Sequence, residues 1–167
     1  VLDQAEQELS ISLSAKQKEA VRKAFAYPVS IITGGPGTGK TTIQKVLLYI
    51  NEHTEKRTIL LTAPTGRASR RMAESTGHDG SSTMHSALGL GMEEEEGAGF
   101  DFLEAGFILA DEFSMVDMRL AYEFFSRIHS GTRLVLIGDV DQLPSVGPGS
   151  VFRELINGGA IPVTVLD

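Results

Sequence analysis

A run of glycines, Gly34-Gly35-Pro36-Gly37-Thr38-Gly39, leads into Lys40-Thr41-Thr42 and follows directly on the apolar residues Val29-Ser30-Ile31-Ile32. A strand that ends in G-x-x-x-x-G-K-[ST] and opens into a helix builds a nest for a nucleoside triphosphate. The glycines, with Pro36 and Thr38 between them, let backbone N–H groups turn inward around the β-phosphate, and Lys40 reaches the β/γ oxygens. Thr41 offers its hydroxyl to Mg²⁺, and the helix expected from about Thr41 to Glu52 points its positive end at the anion. A dinucleotide fingerprint does not fit, because G-x-G-x-x-G counted from Gly35 needs glycine where Lys40 stands.

A second constellation is Asp111-Glu112, which follows the apolar run Phe107–Ala110. Beside a phosphate loop, Asp111 is the residue expected to hold Mg²⁺, and Glu112 is placed to orient and deprotonate an attacking water. Gly138-Asp139-Val140-Asp141-Gln142 follows a further apolar run. The Gln142 carboxamide can bond a γ-phosphate or the lytic water, or the segment can be an Asp-rich turn. Gln17, in Leu13-Ser14-x-x-Gln17, can read an adenine edge or simply cap a helix. Ala63-Pro64-Thr65-Gly66-Arg67 combines backbone N–H groups, a hydroxyl and a basic helix start, which suits a phosphodiester backbone. Thr83 and His85 can add to that contact, and Arg70 and Arg71 can equally solvate a helix face.

These residues need elements to position them. Val29–Thr33, Thr58–Thr62, Phe107–Ala110, Arg133–Asp139 and Pro162–Leu166 read as short buried strands. Helical spacing lies between them: in the second part of Gln4–Tyr27, from Arg67 to Ser75, over Asp117–Ser130 and over Val151–Asn157. Apolar strands alternating with helices describe an α/β protein in three layers, with about five parallel strands at the centre. Ligands of such sheets bind beyond the carboxyl ends of the strands, and every polar signature above lies just past a strand end. Residues 76–106 break the rhythm and read as a long surface excursion or loose hairpin.

The 167 residues fit one domain with a sizeable core. No apolar run has the length of a membrane span, and Val1–Ser10 has no signal-peptide pattern. The absence of cysteine removes disulfides and thiolate metal sites and fits a cytoplasmic chain. A net charge of −7 argues against nucleic acid, but its distribution makes the whole-chain value a poor guide. Residues 1–92 carry 11 Lys/Arg against 8 Asp/Glu, and the acid gathers in 93–167, with the run Glu93–Glu96. That run is expected to face away from any nucleic-acid track.

Taken together, the strings resemble the first motor domain of superfamily 1 DNA helicases, most closely the RecD/TraA-type group. The matching segments are Leu13-Ser14-x-x-Gln17, GGPGTGKTT at Gly34–Thr42, APTGRAS at Ala63–Ser69, Thr83-Met84-His85, DEFSMVD at Asp111–Asp117 and GDVDQLPSVGPG at Gly138–Gly149. The resemblance implies a RecA-like P-loop NTPase fold, with ATP as substrate and Mg²⁺ as its cation. It implies that Gln17 reads adenine, that Gln142 senses the γ-phosphate, and that Pro64, Thr65, Arg67, Thr83 and His85 border single-stranded DNA. Implied partners are DNA, a second RecA-like domain and the subunits of a recombination complex. Movement is expected 5′→3′, with a pin hairpin in the 77–106 interval, where Phe100 and Phe102 are the aromatic residues. Phe113 stands where alanine or valine is commoner. The chain stops where such helicases enter their second domain, so an excised motor half of low activity is expected. Two other readings use the same loop. A nucleotide-gated binding module would lack translocation, and a small-molecule kinase is disfavoured by the absence of an arginine-rich lid.

Overall fold

In a computed structural model, residues 1–89, 102–142 and 150–167 are described. The run Glu93–Glu96, the centre of the expected excursion with Phe100, and Leu143–Gly149 of the last string lie outside them. Two helices open the chain, α1 (Leu2–Glu8) and α2 (Ala15–Ala26), followed by β1 (Val29–Thr33) and α3 (Lys40–His53). Next come β2 (Ile59–Ala63), α4 (Gly66–Thr76), β3 (Ser81–Thr83), the short α5 (Met84–Ala87) and β4 (Phe107–Ala110). A 3-10 turn at Phe113–Met115, α6 (Met118–Ser126), β5 (Arg133–Gly138), α7 (Val151–Asn157) and β6 (Val163–Val165) complete it.

The six strands form one sheet in the order β3-β2-β4-β5-β1-β6, every pairing parallel. The five strands read from the sequence are all present. The sixth, β3, falls inside the interval expected to be a surface excursion. Its residues Ser81-Ser82-Thr83 carry no apolar signal, and it is held at the edge by β2, in the register Leu61↔Ser81 to Ala63↔Thr83. An edge strand with one neighbour can be polar, because it has little core to face.

Alternation along the buried strands sorts the core into two layers. Ile32, Leu61, Phe107, Leu109, Val135 and Ile137 face α1–α4, where they meet Ile43, Val46 and Leu47. Ile31, Ile108, Leu134 and Leu136 face the other side and meet Phe113, Phe124 and Phe152. This is a sheet with helices on both faces, as the uninterrupted apolar strands require. The helix starts are legible as caps. Ser14 accepts from Gln17 N while Gln17 reaches back to Ser14 N, a full capping box, and Thr65, Thr83 and Asp117 cap α4, α5 and α6.

Candidate functional site

The phosphate loop leaves β1 at the carboxyl edge and enters α3 at Lys40. Two of its glycines are dictated by geometry. Gly39 has φ +87, and a Cβ there would overlap the Gln17 carboxamide; a Cβ on Gly34 would lie 2.5 Å from Thr38 Oγ1. The loop closes on its own groups. Lys40 Nζ donates to Gly34 O at 2.6 Å, and Thr38 Oγ1 donates to Gly35 O at 2.7 Å. The ammonium is therefore already over the loop, held by a carbonyl that an anion can replace.

β5 lies between β1 and β4, which deliver the loop and the acidic pair. At about 4.8 Å per strand, the loop and Asp111 sit about 10 Å apart along the edge. That gap accommodates a terminal phosphate with a cation and water. Lys40, Thr41, Asp111 and Glu112 line one cleft of about 490 Å³ together with Arg71, Glu74 and Ser75 of α4. The volume lies in the range of small-molecule sites.

Asp111 is held from two sides. Its Oδ1 accepts Glu112 N at 2.7 Å, and its Oδ2 accepts Gln44 Nε2 at 2.9 Å. Glu112 takes a left-handed backbone, φ 53 and ψ 34, rare for a residue with a side chain. Phe113 behind it secures that turn: fully buried, its ring packs 5.8–6.1 Å from Phe124, Phe125 and Phe152. The bulky residue at 113 thus anchors the acidic pair from the opposite core layer. Burial, and then the neighbouring Asp111 charge, pushes the Glu112 carboxyl above its ordinary value, against the pull of Lys40 and Arg71. A carboxylate perturbed in this way has the basicity a proton acceptor needs.

The cleft offers oxygen donors to the expected cation. Thr41 brings an exposed hydroxyl and Asp111 a carboxylate to the same cleft, hard oxygen donors suited to Mg²⁺. Among the described residues no group of three or more His, Asp or Glu could hold a metal alone.

The Gln17 carboxamide is engaged within the protein. Its Oε1 accepts Ser14 N at 2.9 Å and its Nε2 donates to Thr38 O at 3.1 Å, so it joins the helix cap to the phosphate loop. Of the two roles open in the sequence, the helix cap is the one present, and the same carboxamide also bonds the phosphate loop. Gln142 is exposed and lines a separate pocket with Ser114, Phe152 and Arg153, not the Lys40 cleft. Its neighbour Asp139 is buried behind the loop, with Oδ2 4.0 Å from where a Cβ of Gly35 would be.

The residues read as a nucleic-acid edge are brought together. The pairing Ala63↔Thr83 makes Pro64–Arg67 and Thr83–His85 emerge side by side. Thr65 Oγ1 accepts Ala68 N at 3.2 Å and Thr83 Oγ1 accepts Ser86 N at 3.1 Å, while Arg67 and His85 are exposed. The sequence reading missed Gln44, and it named Asp139 and Arg71 without placing them beside the acidic pair. The signal for Gln44 was present, a polar residue among Ile43, Val46 and Leu47, one turn after Lys40.

Residues 17–148 match the model of a family described as an AAA domain. The chain is similar to the RecBCD enzyme subunit RecD of Mycobacterium tuberculosis, 33% identical over 172 residues, covering 87% of this chain and 29% of that protein. It is also similar to the ATP-dependent RecD2 DNA helicase of Deinococcus radiodurans, 36% identical over 142 residues, covering 82% and 19% respectively. Among solved structures, the Pif1 helicase from Candida albicans superposes with a TM-score of 0.67 at 26% identity, over 93% of this chain and 40% of that one. The chain spans under a third of the length of these two curated relatives. With the family model matched over most of its length, the chain belongs to the AAA domain family, as a RecA-like domain of the RecD type.

Proposed function

We propose that this domain binds ATP with Mg²⁺ and hydrolyses it as the first motor domain of a DNA helicase moving 5′→3′ on single-stranded DNA. The observation that carries the reading is the cleft shared by Lys40, Thr41, Asp111 and Glu112. In the proposed cycle Lys40 exchanges Gly34 O for phosphate oxygens, and the loop amides and the α3 N-terminus cradle the β-phosphate. Thr41 and Asp111 would hold Mg²⁺, which neutralises charge on the transferring phosphoryl group when bound. Glu112 takes the proton of the attacking water. Gln142 serves as γ-phosphate sensor only after it leaves its separate pocket.

Helix α4 supports the coupling to DNA. Thr65 caps it and it carries Arg67 at the strand-end edge, with Arg71 and Glu74 on the nucleotide cleft. One rigid element of 11 residues therefore borders both ligands. The second RecA-like domain, recombination subunits and duplex DNA are the proposed partners of the whole protein, in keeping with the names of its relatives. The test is a titration with a fluorescent ATP analogue. Lys40→Ala should weaken binding by at least about tenfold, the scale of one charge-assisted phosphate contact. Undiminished binding by that variant would refute the reading.

A further inference from the structure

Gln44 has no assigned task, yet it occupies an unusual place. It is buried, 1% exposed, on the core face of α3 among Ile43, Val46 and Leu47. An apolar side chain would pack there without cost, and a carboxamide must find partners. Its Nε2 donates to Asp111 Oδ2 at 2.9 Å. Its Oε1 is also buried and meets no hydrogen-bond donor among the described residues. A carboxylate only accepts, so the N–H must face Asp111, and this assignment leaves Oε1 as the unmet end.

The placement follows from helix geometry. Gln44 comes four residues after Lys40, so the two share a face of α3, and helix side chains lean toward the N-terminus. Gln44 therefore leans toward the phosphate-loop end of α3, where it meets Asp111. With Gln44 on Oδ2 and the Glu112 amide on Oδ1, the Asp111 carboxylate has its plane fixed and keeps one lone pair on each oxygen.

We propose that Gln44 is a positioning residue for the divalent cation: its Nε2 orients the Asp111 carboxylate that would hold the ion. The proposal rests on the nucleotide reading above, and its test separates the two.

Mn²⁺ is titrated into protein saturated with ADP, and free Mn²⁺ is read by electron paramagnetic resonance. Gln44→Met keeps the volume and removes both polar ends. It should weaken Mn²⁺ binding by about tenfold, with cation-free ADP affinity within about twofold of the parent. Asp111→Ala should weaken Mn²⁺ at least as much, and Gln44→Met should add nothing in that background. Unchanged Mn²⁺ affinity in Asp111→Ala overturns the nucleotide-metal reading itself. A loss in Asp111→Ala with none in Gln44→Met overturns the role of Gln44 alone. Additive losses, or an equal loss of cation-free ADP binding, also overturn it. If Gln44→Met does not give a cooperative melt, Gln44→Asn, still polar but one carbon too short to reach, carries the same comparison.

Discussion

Gly39→Ala is the substitution whose cost can be worked out most directly. The first part is backbone strain. At φ +87 and ψ 24, a Cβ costs about 1–2 kcal/mol. The second part belongs to Gln17, whose Nε2 occupies the space the new methyl needs. Gln17 must withdraw, losing its bond to Thr38 O and, as it swings, its bond to Ser14 N. Two bonds at the surface are worth about 1–2 kcal/mol together. The sum is about 3 kcal/mol, a drop in Tm of about 6–12 °C for a domain of this size. Gln17→Ala alone loses the same two bonds, about 1–2 kcal/mol. In the double variant the clash has no partner, so only the backbone strain adds to the loss already incurred. Gly39→Ala/Gln17→Ala should therefore be about as stable as Gly39→Ala itself, a coupling of about 1.5 kcal/mol. Urea unfolding of all four proteins, with the m-value checked for constancy, reads this out. Additive effects within about 0.4 kcal/mol would show that Gln17 does not rest on the loop, and the combined cap-and-loop role would fall.

Glu112→Gln should lower ATP turnover by about 10²–10⁴-fold while ADP binding persists, measured by phosphate release and by titration. The same variant has a pH signature. The folded carboxyl holds its proton above its ordinary value of 4.5, so between that value and the raised one the folded state binds more protons than the unfolded state. The parent then loses stability as pH rises through that window. Glu112→Gln should match the parent in acid and exceed it at neutral pH in melting curves, and equal stability at every pH would contradict the burial argument. Arg67→Ala should weaken single-stranded DNA binding evenly across sequences and reduce the slope of log affinity against log salt by about 1, measured by fluorescence anisotropy. An unchanged slope would remove Arg67 from the track.

The strand signals were strong because the central strands are buried on both faces. Val29–Thr33, Phe107–Ala110 and Arg133–Gly138 are short and largely apolar or β-branched, the pattern of a parallel strand covered on both faces. β3 was invisible for the opposite reason. Ser81-Ser82-Thr83 is held by backbone pairing to β2 and by Ser69, whose carbonyl accepts Ser81 Oγ at 2.7 Å. Nothing in its side chains announces a strand. The excursion begun at Gly77, left-handed at φ +69, is thus interrupted by a strand whose only cause is its neighbour.

The site was legible where chemistry is local and illegible where it is made by packing. Lys40 and Thr41 act through a loop whose geometry is written in consecutive residues, and Asp111-Glu112 stand at the end of a recognisable strand. Their meeting in one cleft required only that both strands be parallel members of one sheet. The left-handed turn at Glu112 is a different matter. It is held by Phe113 against Phe124 and Phe152, 11 and 39 residues further along, and its raised proton affinity comes from burial that no local window reports. Gln44 and Arg71 belong to the same class, since each reaches the acidic pair from a different helix. A phosphate loop and its acidic partner can therefore be read from a chain, while the residues that tune them are set by which helix faces the sheet pulls inward. Substitutions at Gln44 and Phe113 should consequently alter the chemistry of Asp111 and Glu112 without touching a nucleotide, which distinguishes a packed catalytic edge from a loop that merely binds phosphate.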